Sequence, residues 1–183
     1  MSKNAIVILA EGFEEIEAVT CIDVLRRANI NVTAAGLSGT LVKGSHGITL
    51  AADKKLEQAG SDFDVLVLPG GMPGAANLAA SDKVNTLIKK MNGEGKIIAA
   101  ICAAPAVVLA PTGILNYKNA TCSTGMQTNF DKTTKFKNER VVVDDNLITS
   151  RGPGTALSFA LTIVEKLIGK ELAQKIGTAA LAG

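Results

Sequence analysis

Apolar residues along this chain fall into two alternating kinds of run. "AIVILA" (residues 5–10) is continuous, rich in branched residues and stopped by Glu11-Gly12, which is the pattern of a strand buried on both faces. Residues 15–28 then carry helical spacing, and "INVTAAGL" gives a second strand. "FDVLVLPGG" predicts a third buried strand, halted by Pro69-Gly70-Gly71. Ser81 is placed to cap a helix with Val84, Leu87, Ile88 and Met91 on one face. "KIIAAI" predicts a fourth strand, and "AAPAVVLA" begins a helix whose first turn accepts Pro105.

Further on, "RVVVDDNLITS" reads as a hairpin turning at Asp145-Asn146. "RGPGTALSFALTIVEKLIG" reads as a helix behind a Gly-Pro-Gly entry, with Ala156, Phe159, Ala160, Ile163, Val164 and Leu167 on one face and Gly169 ending it. A last helix starts near Lys170. The stretch from Leu41 to Leu50 is too short for a βαβ crossover and predicts a small hairpin at the edge. Strands apolar on both faces and separated by helices predict an α/β fold, a mostly parallel sheet covered on both sides. No repeat or linker interrupts the pattern, so residues 1–183 are expected to form one domain.

Composition narrows the function classes. Aromatic residues are only 3% of the chain, against 47% hydrophobic, which argues against a base-stacking platform. The 19 basic and 17 acidic residues are interspersed, for a net charge of +2, so no nucleic-acid partner is expected. Cys21, Cys102 and Cys122 are widely spaced and odd in number, which favours a reducing compartment over a disulfide framework. The first apolar run is too short for a signal peptide, and the longest, Ile97 to Ala110, is broken by Pro105. A cytoplasmic protein without membrane contact is expected. His46 is the only histidine, which speaks against a His-rich metal site. No P-loop or GxGxxG follows a strand, so no nucleotide cofactor is expected either.

In open α/β sheets ligands bind outside the carboxyl ends of the strands. Those ends carry "EGFEEIE" with Glu14, Glu15 and Glu17, then "PGGMPG", then Cys102, then "SRGPG" with Arg151 and Pro153. A thiol at a helix N-terminus is expected to have a lowered pKa. The N–H groups of Gly71 and Ala103 are candidate oxyanion donors, as in strand–nucleophile–helix elbows, and the small neighbours Ala100, Ala103 and Ala104 suit so tight a turn. Glu17, set among Ile16, Ala18 and Val19, is expected to be buried, with a raised pKa and a proton to donate to the thiolate. Plainer readings exist for each residue taken singly. Cys102 reads as a small buried hydrophobe, Glu14 and Glu15 as solvated carboxylates at a helix start, and His46 as surface. Their coincidence at the carboxyl ends favours the reactive reading.

The blocks "VILAEGFEEIEAV", "DVLVLPGGMPGA", "IAAICAAPAVVLA" and "TSRGPGTALSFALTIVE" run in order from about Ala5 to Gly169. Together they resemble the ThiJ/PfpI superfamily, in the branch of the parkinsonism-associated protein and its bacterial relatives. The resemblance implies a flavodoxin-like sandwich that forms homodimers and carries a reactive cysteine on a nucleophile elbow. Carried over, that cysteine is Cys102, its protonated carboxylic partner Glu17, and its donors Gly71 and Ala103. It also implies oxidation of the cysteine to sulfinate and a part in oxidative stress. Cofactor-free glyoxalase III activity, which turns methylglyoxal or glyoxal into a 2-hydroxy acid, is implied too, with deglycase and chaperone activities described for some members. Where many relatives have histidine or tyrosine after the "NATC" strand, this chain has Cys122-Ser123, and the edge hairpin's anion-binding arginine is His46 here. The protease-like branch has histidine directly after the nucleophile; Ala103 stands there instead, so peptidase activity is not expected. Ser123, Arg27, Arg151 and Pro153 join His46 as secondary candidates. Two functions use these same residues: a 2-oxoaldehyde-converting enzyme, and a peroxide-responsive sensor or chaperone with little turnover.

Overall fold

Alternation along the central strands decides which helices cover which face of the sheet. In a computed structural model that describes residues 2–182, the strands in chain order are β1 (Asn4–Leu9), β2 (Asn31–Gly36), β3 (Leu41–Lys43), β4 (Thr49–Ala51), β5 (Lys54–Lys55), β6 (Val65–Leu68), β7 (Ile97–Ile101), β8 (Asn119–Ala120), β9 (Lys135–Phe136), β10 (Val141–Asp144) and β11 (Leu147–Ser150). The helices are α1 (Glu15–Arg27), α2 (Gly74–Ala79), α3 (Asp82–Gly93), α4 (Ala156–Leu167) and α5 (Lys170–Ala179). The main sheet runs β10-β11-β7-β6-β1-β2-β5. Its pairings are parallel except β10 with β11. This is the mostly parallel sheet with helices on both faces that the hydrophobic pattern predicts.

Ala5, Val7 and Leu9 of β1, Val65 and Val67 of β6, and Ile97, Ala99 and Ile101 of β7 pack with Ala18, Cys21 and Leu25 of α1 and Phe159, Ala160 and Ile163 of α4. The intervening residues Ile6, Ile8, Leu66, Leu68, Ile98 and Ala100 face the other way, onto Leu78 of α2 and Val84, Ile88 and Met91 of α3. Each fully buried Val, Leu or Ile contributes roughly 1.5–3 kcal/mol of transfer free energy. The strands are therefore held from both sides, and their carboxyl ends form a rigid platform. Ser81 caps α3 through a hydrogen bond from Val84 N–H. The late hairpin turns at Asp145, whose φ is +52°.

Several local expectations change. The chain after Cys102 does not continue as an α-helix: Pro105–Leu109 form a π-type turn and Ala110–Thr112 a 3₁₀ turn. Pro111 has no N–H for an α-helical ladder, and its ring excludes the carbonyl four residues back, so the turn widens. The β3–β4 hairpin is a separate two-stranded sheet; the edge of the main sheet is β5, two exposed lysines with no hydrophobic signal. β8, β9 and the six-residue α2 are too short for periodicity to reveal. Among the described residues, no helix is long and apolar enough to cross a membrane.

Candidate active site

Cys102 follows β7 directly, with φ +64°, a left-handed conformation that costs a non-glycine residue on the order of 1 kcal/mol or more. Two hydrogen bonds to different segments hold it there. Its N–H donates to Ser150 O on β11 at 2.9 Å, and its carbonyl accepts from Ser123 N–H at 2.8 Å. Ala103 is buried behind it. The loop after β6 closes over the turn: a Cβ on Gly70 would stand 2.5 Å from Cys102 Cβ and 2.9 Å from Glu17 Oε2. A side chain at that position would displace the thiol or the carboxyl. Gly71, at φ +84°, backs onto the loop after β1, where its Cβ would meet Glu14 N at 2.5 Å.

Glu17 lies in the first turn of α1 and is 0% exposed. Gly70 N–H donates to its Oε2 at 2.7 Å, while Oε1 has no partner among the described residues. Burial pushes the carboxyl up to about 7, against the Gly70 and Cys102 hydrogen bonds that favour its ionised form and with the Glu14 charge. This raised pKa matches the expectation from the sequence.

The thiol does not match. Burial pushes Cys102 up, to about 11; the Glu17 charge adds to that, while the Gly71 N–H and the Ser123 hydroxyl pull it down. The expected lowering by a helix N-terminus fails because the thiol is half-buried beside a carboxylate. The segment after it is also a five-residue π turn, too short to build a macrodipole. Glu17's contribution is conditional. Once Glu17 is protonated its charge is gone, and its O–H is a donor to sulfur. Between about pH 7 and 11 the pair holds one proton, and a thiolate beside a carboxylic acid is one of its two arrangements.

Glu14 and Glu15 are not solvated: they are 6% and 4% exposed. Glu15 accepts from His46 N–H at 2.7 Å and Ile48 N–H at 3.3 Å, and its Oε2 lies 3.0 Å from His46 Nδ1. Burial opposes these hydrogen bonds, but they hold its pKa near 2. Glu14 caps α1 through Ile16 N–H, and its Oε2 lies 3.3 Å from His46 Nδ1. The polar atoms of Glu14, Glu15 and His46 fall within 4.8 Å of one another. They are bonded to each other and to backbone N–H groups, and so clamp the β3–β4 turn onto the start of α1.

The secondary candidates separate. Ser123 reaches the thiol. His46 is bonded to Ser45, Glu14 and Glu15 instead of Cys102 or Glu17. Arg27 sits at the opposite end of α1 from Glu17, paired with Asp23 at 2.6 Å. Arg151 donates to Thr124 at 2.8 Å, and Pro153 opens the 3₁₀ turn before α4. Cys21 and Cys122 are fully covered. Sequence reasoning missed Gly70, which supplies both the N–H on Glu17 and the room for the thiol; the doubled glycine of "PGG" was the available signal.

A sequence model of the DJ-1/PfpI family matches residues 3–166. Protein dj-1beta of Drosophila melanogaster is 48% identical over 96% of this chain and 95% of its own. The crystal structure of Drosophila melanogaster DJ-1beta superposes with a TM-score of 0.96 over 100% of both chains, at 46% identity. A Caenorhabditis elegans relative named glutathione-independent glyoxalase DJR-1.2 is 40% identical over 92% of this chain and 91% of its own. A structure described as Toxoplasma gondii DJ-1, oxidized, gives a TM-score of 0.95 at 37% identity, over 98% of each chain.

Proposed function

The chain belongs to the DJ-1/PfpI family, and from that premise we propose that it is a single-domain cytoplasmic stress protein whose Cys102 converts 2-oxoaldehydes to 2-hydroxy acids without a cofactor. The observation that carries this reading is Glu17: fully buried, fixed through Oε2, with no partner for Oε1 among the described residues and the carboxyl within hydrogen-bond reach of the Cys102 thiol. Such a group both donates and recovers a proton without meeting solvent. A C. elegans relative named as a glyoxalase supports the substrate class.

In this reading the Cys102 thiolate adds to the aldehyde carbon of methylglyoxal, forming a C–S bond, and the carbonyl π electrons move to oxygen. Gly71 and Ala103 N–H groups donate to that oxygen, each worth roughly 3–4 kcal/mol in comparable sites. Glu17 gives its proton to the oxygen, then takes one from the former aldehyde carbon and delivers it to the neighbouring ketone carbon, while the hydroxyl proton on the first carbon's oxygen passes to the ketone oxygen. The first carbon is thereby oxidised to a thioester and the second reduced to an alcohol, with no external electron acceptor. Water cleaves the thioester, giving lactate and the free thiol. The Ser123 hydroxyl steadies the thiolate.

A second reading has support of its own. The same acid satisfies an oxidised sulfur, and a 37%-identical relative has a structure described as oxidized. Here peroxide oxidises Cys102 to sulfenate or sulfinate and turnover is slight. In either case a homodimer is proposed through exposed Ile16 and Val19 of α1 and Ile48 of the β3–β4 turn, which are 56%, 45% and 57% exposed. The test is to follow methylglyoxal loss and lactate appearance with wild type and Cys102→Ser. Lactate that depends on Cys102 establishes the enzyme. Equal rates in both proteins remove Cys102 from the chemistry, and no turnover with Cys102 still first oxidised by peroxide gives the sensor.

A further inference from the structure

The tip of the β3–β4 hairpin and the cysteine elbow are two ends of one hydrogen-bonded strip. Gly12 N–H donates to Lys43 O and Ser45 N–H to Phe13 O, each at 2.8 Å, which ties the turn to the loop after β1. Glu14 N–H donates to Gly70 O at 3.0 Å, and Gly70 N–H donates to Glu17 at 2.7 Å. His46 stands at the far end with its ring 71% exposed and its Nδ1 between Glu14 and Glu15. A titratable group whose ring is open on this chain is thus one carboxylate away from Glu17. Resting on the cysteine chemistry proposed above, we infer that His46 is a positioning residue for it: acting through Glu14, it sets the pH up to which Glu17 keeps its proton beside Cys102.

Charge compensation links the two groups. Two covered carboxylates side by side need partners. Glu15 has two backbone N–H groups besides the imidazole. Glu14 has less, one long bond from Ile16 N–H at 3.4 Å and one from the Ser45 hydroxyl at 3.4 Å, so its charge depends more on His46. Glu14 lies one helical turn before Glu17, on the same side of α1, and its negative charge favours the protonated form of Glu17. An imidazolium offsets that charge and a neutral imidazole does not.

The groups that face each member are few. His46 faces Glu14, the cap of α1, Glu15 of α1 and Ser45 of its own turn. Glu17 faces Glu14 at the cap of α1, Cys21 within α1 and Cys102 after β7; burial pushes the Cys21 thiol far up, so Cys21 does not titrate in this range. The two carboxylates hold His46's proton above its ordinary pKa. As pH rises and His46 loses its charge, Glu17 holds its own proton longer. A guanidinium in this place would compensate Glu14 at every pH, whereas an imidazole makes the compensation conditional.

The test is the rate of iodoacetamide alkylation at each cysteine, read by mass spectrometry from pH 5.5 to 9. The proteins are wild type, His46→Gln, His46→Arg, Glu14→Gln and the His46→Gln/Glu14→Gln double variant. Charges separated by a turn of helix in a partly wetted site move one another's titration by about half a pH unit, roughly threefold in rate near the midpoint. His46→Gln should move the Glu17-linked midpoint up by that amount, and Glu14→Gln and the permanent cation of His46→Arg should move it down. In the double variant the displacement due to His46→Gln should fall to less than half. Coincident profiles for wild type, His46→Gln and His46→Arg would overturn the inference, as would an undiminished His46→Gln effect without Glu14. His46→Arg keeps the test decisive if His46→Gln loosens the turn. A wild type in which Cys102 is not the fastest-labelled thiol would sink the cysteine reading itself, whatever His46 does.

Discussion

Glu17→Gln is the sharpest probe of the buried acid. The carboxyl is fully covered, and its folded pKa stands at about 7 against an ordinary 4.5. That difference corresponds to roughly 3 kcal/mol between the protonated and ionised forms in the folded protein. Because the folded pKa is the higher one, the native state binds more protons than the unfolded chain between these values. Stability is therefore full below pH 4.5 and falls as pH rises through 7. An amide cannot ionise, so the variant should lack this loss. Urea unfolding at intervals from pH 4.5 to 8.5 measures it. Wild type minus Glu17→Gln should lose on the order of 3 kcal/mol across that window and then level off. Groups not coupled to Glu17 are common to both proteins and cancel in the difference, and the coupling to His46 through Glu14 changes it by less than about 1 kcal/mol. A difference that stays flat with pH would refute the raised pKa and, with it, the shared proton on which both functional readings depend.

The packing carries two more expected outcomes. Gly70→Ala puts a methyl 2.5 Å from Cys102 Cβ and 2.9 Å from Glu17 Oε2. It should destabilise by about 1–3 kcal/mol and cut Cys102 alkylation at least tenfold; a variant with wild-type labelling would show that the loop moves aside. In the native wild type, Cys102 should be alkylated well before Cys21 and Cys122, which are both fully covered, and earlier labelling of either by peptide mapping would contradict the elbow.

How much of this was legible in the sequence depends on range. β1, β6 and β7 were readable because each is a run apolar on both faces, and only a sheet covered twice accepts such a run. The α3 cap at Ser81 and the hairpin turn at Asp145 were readable because their chemistry is local to a few residues. Cys102 and Glu17 were singled out because the carboxyl ends of parallel strands are where a site must lie. β5 and β8 carry two residues each and are strands only because a neighbour offers them a ladder, so no local signal exists.

The electrostatics of the site were decided by tertiary structure alone. The chain order gives a thiol before a helical segment, which suggests a lowered pKa. The fold buries that thiol against Glu17 and places a π turn after it, and the pKa goes the other way. Glu14 and Glu15 likewise look like solvated helix-start carboxylates until the β3–β4 hairpin folds over them and hands them His46. Hydrophobic pattern is a sum over neighbours along the chain, so the sequence alone determined the sheet and where the carboxyl ends of its strands fall. A pKa is set by burial and by charges and hydrogen-bond donors brought from 31 or 53 residues away, as His46 is to Glu15 and Gly70 N–H to Glu17, and only the folded packing decides those.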